Sequence, residues 1–274
     1  MKFSSRISRI QPSATLAMTA KAAELKDKGL EVLNMSVGEP DFNTPENIID
    51  AANKAMQDGH TRYTPGGGTK HLKEAIQIKL QRDNMLEYNL NEIIVSCGGK
   101  HSLYNACQVL FEKGDEVIIF SPYWVSFPDF VSVTGAKPVF VDIDPKTLNL
   151  DIDELQKKCN ASTMKAIIPV HFSGLPCDMK RTKKIADSNN LQIIEDASHA
   201  LGAKYKDGSK VGNCRYSDMT VFSFHPVKGI TSGEGGVITT NNNEHHQRLL
   251  QLRSHGICKG NFDIPGVGFL DNNL

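Results

Sequence analysis

The sequence predicts an α/β fold: a three-layer α/β/α arrangement around a mainly parallel sheet. Short β-branched runs, among them Ile93-Ile94-Val95, Val117-Ile118-Ile119 and Ile193-Ile194, alternate with helical patterns along most of the chain. At 274 residues the chain can bury one large core of this kind or two modest ones. The polar and glycine-rich features that suggest chemistry fall at the ends of these runs, where open α/β sheets collect ligand groups.

Taken in order, the first element is a helix with apolar spacing from about Leu16 to Leu25, closed by Gly29. Residues 30–38 (LEVLNMSVG) read as a short strand running into the turn at Glu39-Pro40-Asp41. Thr44-Pro45-Glu46 reads as an N-cap with proline at the first helical position, opening a helix to about Gln57. Residues 63–69 (YTPGGGT) form a flexible, phosphate-sized loop before another helix. A strand over Ile93–Val95 meets Gly98-Gly99 and then a helix. DEVIIFSPYW is a buried strand ending in aromatics. AKPVFVDID and KAIIPVHF are strands separated by a helix from Asp153 to about Asn160. A helix over about Asp178 to Ser188 precedes the strand in LQIIEDASHALGA, and SDMTVFSFHPVKG and EGGVITT close the sheet.

Bulk properties exclude several classes. Lys+Arg and Asp+Glu both number 31, so no net charge favours nucleic acid or an anionic membrane. No apolar run approaches the roughly 20 residues that span a bilayer. The 6 cysteines include no C-x-x-C pair, which points to reduced thiols in a cytoplasmic protein. The N-terminus is short, basic and serine-rich, and it lacks the apolar core of a signal peptide.

Four features carry chemistry. At Ser96-Cys97-Gly98-Gly99-Lys100-His101, glycines at a strand-to-helix turn let backbone N–H groups approach an anion. The segment is not a P-loop, because Ile94 stands where its first glycine would be, and an ordinary glycine turn is the alternative. Trp124, the only tryptophan, could stack on a flat ring or sit in a core or interface. Asp196 ends an apolar strand. It could keep a pyridine nitrogen protonated in an electron-sink cofactor, with His199 beside the ring, or it could cap a helix. Lys228 follows an apolar strand in a Gly- and Ser-rich loop, as a Schiff-base nucleophile would, and Ser223 at the same strand end could donate to a phosphate. A solvated loop lysine is the alternative.

These motifs resemble fold-type-I pyridoxal-phosphate (PLP) enzymes, in two branches. Residues 1–134 resemble class I aspartate aminotransferases through SVGEPDFNTP, TRYTPGGGTKHLKEAI, VSCGGKHSLYN and GDEVIIFSPYWVSFPD. Residues 135–274 are similar to DegT-type sugar aminotransferases through GAKPVFVDIDPKTLNLD, IIEDASHALGAKYKDGSKVG and FSFHPVKGITSGEGGVITTN. The resemblance implies a large PLP-binding domain over 46–250, after an arm and first segment over 1–45. It also implies a truncated C-terminal domain beginning at 251–274. It places Gly99 and Lys100 at the phosphate, Trp124 on the pyridine ring, Asp196 at its nitrogen and His199 against the cofactor. Ser223 falls at the phosphate and Lys228 is the Schiff-base lysine. Tyr63 matches a tyrosine that reaches the neighbouring subunit's phosphate, implying a homodimer with shared sites, and Gly38 lies near the substrate.

Two departures from the class I pattern stand out. His171-Phe172-Ser173-Gly174 replaces an Asn-Pro-x-x-Gly turn, and Gly235-Gly236 stand where a phosphate-binding arginine is expected. The activity expected is amino transfer from an amino-acid donor, glutamate, to a nucleotide-linked keto-sugar. An aspartate/2-oxo acid aminotransferase is the second expectation, and a chain that binds PLP without turnover is the third.

Overall fold

The computed structural model describes residues 4–10, 12–35, 38, 40–159 and 162–256. Helix α1 (Ala14–Asp27) starts behind Ser13, whose hydroxyl accepts the Leu16 N–H at 3.3 Å. Helix α2 (Glu46–Gln57) starts one residue later than the Thr44 cap implies. Pro45 itself occupies the cap position, and its carbonyl accepts the first helical N–H groups. Helix α3 (Lys70–Asn84) is capped by Thr69 and ends on Met85 in the left-handed conformation.

The β-sheet region then follows the predicted alternation. Strand β1 (Ile93–Ser96) leads into α4 (Gly99–Leu110), β2 (Glu116–Ser121) into α5 (Phe127–Thr134), and β3 (Lys137–Asp142) into α6 (Ile152–Lys158). Strand β4 (Met164–Ile168) leads into α7 (Met179–Ser188). Strands β5 (Gln192–Asp196), β6 (Met219–Ser223) and β7 (Gly236–Thr239) precede α8 (Asn243–Arg253). Among the described residues 7 strands form one sheet in the order β1-β7-β6-β5-β4-β2-β3. Only β7 runs antiparallel to its neighbours, so the sheet is mainly parallel, as predicted.

Alternating strand residues supply two cores, which makes the fold three-layered. On one face Val117, Ile119, Ile194 and Val221 pack against Leu103 and Ala106 of α4, Phe127 and Phe130 of α5 and Leu249 of α8. On the other face Ile118, Ile167, Ile193 and Phe222 meet Leu155 of α6 and Met179 and Ile185 of α7. Burial on both sides explains why these strands are apolar at consecutive positions.

Three expectations are corrected. The described part of residues 30–38 forms no strand, and Leu33 and Met35 are 90% and 95% exposed. An extended segment becomes a strand only by pairing, and this one joins neither sheet edge, β1 or β3. The loop at 63–69 is held rather than flexible at Gly67, whose carbonyl accepts the Val95 N–H at 3.1 Å and docks the loop on β1. Helices α5 and α8 were not expected. Asn160, at the predicted end of α6, and residues 257–274 lie outside the described residues. Among the described residues no helix is long and apolar enough to cross a membrane.

Candidate active site

Strands β1, β2, β5 and β6 run parallel, so their C-terminal ends share one rim, and Gly99, Lys100, Trp124, Asp196 and Ser223 lie at or just beyond those ends. After β1 the backbone turns at Gly98 with φ of 147°, a region that L side chains rarely adopt. Helix α4 opens there with no side-chain cap. Its first intrahelical bond runs from the Ser102 N–H to the Gly98 carbonyl at 3.1 Å, which leaves the N–H groups of Gly99, Lys100 and His101 without helical acceptors. Such a terminus attracts an anion by both dipole and donors.

The end of β6 faces this terminus. A methyl placed on Gly99 would lie 2.8 Å from Ser223 Cβ and 3.1 Å from its Oγ, so the hydroxyl stands directly against the turn. One placed on Gly236 would lie 2.4 Å from the carbonyl of Gly98 and 2.6 Å from the Gly99 nitrogen. The start of β7 therefore presses backbone to backbone on the turn. That contact leaves no room at Gly236 for the arginine expected in class I enzymes. Ser96 Oγ and Ser102 Oγ, buried on either side of the turn, have no hydrogen-bond partner among the described residues.

Asp196 is buried at the end of β5. Its carboxylate accepts the Ser198 N–H at 2.9 Å in a tight turn, so it caps no helix. His199 follows, with Nδ1 accepting the Ser173 N–H at 3.4 Å. Burial pushes the His199 imidazole below its ordinary value, the Lys228 ammonium adds to this, and the Asp196 carboxylate opposes it. Lys228 and Asp196 therefore both act electrostatically on His199. Lys228 is half-buried in the loop after β6, where its N–H bonds the His225 carbonyl at 2.9 Å. Beyond β2, Trp124 sets its edge against Phe127 and Phe130 and is 44% exposed, so it is not a core residue. The Lys100 ammonium lies 5.0 Å from its ring centroid, a cation–π contact.

Two predicted residues stand apart. Tyr63 is fully exposed and, with Thr61, Arg62 and Thr64, lines a shallow surface cleft. Gly38 is exposed with open space where a side chain would be.

The structure also brings together residues that sequence reasoning passed over. Glu195, wholly buried behind the sheet, accepts hydrogen bonds from His171, Tyr205, Ser217 and Thr220. Burial pushes its carboxyl up, but donation by His171, then Ser217 and Tyr205, outweighs this and holds it below the usual carboxylate range. Cys97, in the turn itself, lies with Sγ 3.1 Å from His101 Nδ1.

The DegT/DnrJ/EryC1/StrS aminotransferase family model matches residues 87–269. The chain belongs to this family. The matched stretch spans the rim from β1 through Lys228 and begins within the half that resembles class I enzymes. Members of the DegT/DnrJ/EryC1/StrS family and aspartate aminotransferases use pyridoxal 5′-phosphate. The chain is also 45% identical over 197 residues to the aspartate aminotransferase of Bacillus sp. (strain YM-2), covering 70% of this chain and 50% of that protein. It is 48% identical over 202 residues to the aspartate aminotransferase of Geobacillus stearothermophilus, covering 72% of this chain and 51% of the relative. The chain thus spans about half the length of the curated relatives it matches. Among solved structures, the aspartate aminotransferase of Rhizobium meliloti superposes with a TM-score of 0.80 at 29% identity, covering 93% of this chain and 66% of that one. A single mutant of the Thermus thermophilus aspartate aminotransferase gives 0.78 at 28% identity, covering 93% and 68%. The fold is that of the fold-type-I aminotransferases.

The residues present fit PLP. An uncapped helix terminus with Ser223 against it suits a phosphate dianion. Asp196 would offer a buried carboxylate to a ring nitrogen, and Lys228, in the loop after β6, would offer a primary amine. The tight Gly99–Ser223 approach makes a prediction: Gly99→Val, whose side chain must push into Ser223, should cost about 1–3 kcal/mol of stability. It should also weaken PLP roughly tenfold or more in a fluorescence titration.

Proposed function

We propose that the chain forms the cofactor-binding part of a PLP-dependent aminotransferase that acts between an amino acid and a 2-oxo acid, with aspartate-type substrates. The observation that carries the proposal is that the uncapped terminus of α4, Ser223 packed against it and buried Asp196 share one rim, with Lys228 and Asp196 both acting on His199 beside them. When bound, PLP supplies an electron sink for the pair left on a carbon that loses its proton. The α4 N–H groups and Ser223 Oγ hold the phosphate. Asp196 keeps a proton on the ring nitrogen. Trp124 offers a flat apolar surface to the ring. Lys228 Nζ would carry the covalent attachment and, once freed by the donor amine, would accept the proton lost from the donor's α-carbon and return it to the cofactor.

The substrate assignment revises the expectation drawn from the second half of the sequence. A nucleotide-linked keto-sugar acceptor gives way because the relatives at 45% and 48% identity are named aspartate aminotransferases. Gly38 is assigned to the substrate end of the site on resemblance. Tyr63 is assigned to a second copy's phosphate in a homodimer. Its full exposure supports that assignment, as does the apolar surface of Ile48, Ile49 and Met56 on α2, a helix that buries no residue.

The test is spectroscopic. Purified with PLP, the protein should show a visible absorbance band that aspartate or glutamate bleaches and oxaloacetate or 2-oxoglutarate restores. Restoration by a nucleotide-linked keto-sugar but not by oxaloacetate would reverse the substrate assignment. A band that no amino acid bleaches would mean binding without turnover, and absence of any band would remove the cofactor.

A further inference from the structure

Asp196 does not hold its own position. Its N–H donates to the Pro169 carbonyl at 2.9 Å, and its carbonyl accepts the His171 N–H at 3.1 Å, so the end of β5 is stitched to the segment following β4. His171 makes a second connection with its side chain. The ring is fully buried, with Nδ1 accepting the Cys177 N–H at 3.2 Å and Nε2 lying 2.7 Å from Glu195 Oε2. Because Nδ1 accepts, the proton belongs on Nε2, which donates to the carboxylate; this tautomer is assigned from the network. One residue therefore grips two successive residues of β5: Glu195 through its ring and Asp196 through its backbone. Successive strand side chains point to opposite faces, so the grip on Glu195 lies behind the sheet and Asp196 faces the rim.

The anchor is saturated. Glu195 Oε1 accepts from Ser217 and from Thr220 at 3.2 Å, while Oε2 accepts from His171 and Tyr205. Four donors fill the four lone-pair positions of a carboxylate. A buried charge so satisfied has one low-energy placement, and a strand end fixed to it inherits that placement.

We propose that His171, braced on Glu195, is the positioning residue for Asp196 and thereby sets how firmly Asp196 holds a proton on the cofactor's ring nitrogen. This rests on the PLP reading above. The other titrating groups facing the two carboxylates are few. Burial pushes the protons of Tyr205, Tyr88 and Cys214 up, and each feels Glu195. Cys177 adjoins His171, and Asp196 and Lys228 both act on His199. All of these remain in the variants below.

The full chain is loaded with PLP carrying nitrogen-15 in its ring, and the ring nitrogen's protonation is followed by NMR against pH, with circular dichroism melting as the control for folding. The wild type should keep the proton through neutral pH. In His171→Ala the midpoint for its loss should fall by about one pH unit, a tenfold weaker hold. His171→Gln, whose amide N–H can still donate to Glu195, should recover most of that. If His171→Ala does not fold, Ser217→Ala, which removes one donor from the same carboxylate, should move the midpoint in the same direction by less. A folded His171→Ala or Ser217→Ala with the wild-type midpoint overturns the proposal. No ring-nitrogen signal in the wild type sinks the cofactor reading instead.

Discussion

Lys228→Ala should leave a folded protein that loses PLP on desalting and has no visible absorbance band. Half-buried in a surface loop, the Lys228 side chain supports no core, so melting temperature should change little. Turnover with aspartate and 2-oxoglutarate should fall by roughly ten-thousandfold, the upper end of what one acid–base group contributes, with loss of the covalent attachment added. The contrast between intact folding and absent colour is the informative part. Asp196, His199 and the α4 terminus remain in the variant, so a weak, reversible affinity for PLP should survive and be measurable by fluorescence. A Lys228→Ala protein that keeps the visible band would move the attachment to another lysine. Lys100, whose ammonium sits on the Trp124 ring, would be the first to examine.

The largest stability effect is expected at Glu195. Glu195→Ala removes an acceptor that serves His171, Tyr205, Ser217 and Thr220, all buried or nearly so. A buried donor left without a partner costs about 1–3 kcal/mol. The side chain removed also leaves a void among packed groups. These donors can partly re-pair; Ser217 and Thr220, for example, lie within 3.4 Å of one another. Roughly two donors left unpaired, together with the void, put the expected loss at about 3–5 kcal/mol. Denaturant melts read it directly. Glu195→Gln keeps the acceptor carbonyl and the shape, so its loss should be smaller, and a melt equal to wild type for Glu195→Ala would mean that the network carries no net stability.

Much of the fold was legible because strands buried on both faces announce themselves as apolar runs, and glycine, proline and capping residues punctuate them. Ser13, Thr69 and Asp178 each cap the helix that follows. Helix α5 was hidden because it spans only Phe127–Thr134 and has a proline in its first turn, which reads as a breaker although that position tolerates it. Helix α8 was hidden because His245 and His246 take buried positions where the pattern expects apolar residues. The strand predicted at 30–38 has the right residue types and no partner, and partner choice is a property of the whole sheet.

The site followed the same division. Gly99, Lys100, Trp124, Asp196, Ser223 and Lys228 lie at or shortly after strand ends, so local sequence placed them on one rim. Glu195 sits beside Asp196 in sequence but looks away from it. Its partner His171 belongs to another strand's exit, and only the pairing of β4 with β5 makes them neighbours. In the sequence His171 registered only as a departure from a turn motif.

The position of β7 has a consequence for the order in which the molecule is built. Among the described residues strand β1 is an edge strand whose only sheet neighbour is β7, with Ile93 opposite Thr239 and Ser96 opposite Gly236. Strands β2 to β6, by contrast, can assemble among themselves as they leave the ribosome. The turn at Gly98 therefore emerges early and waits, unpaired, until almost the whole described chain has been synthesised. Bringing in so distant a partner is the slow kind of closure. The anion cup is thus among the last features to form. An anion that binds only the closed arrangement would, by mass action, retain it once formed.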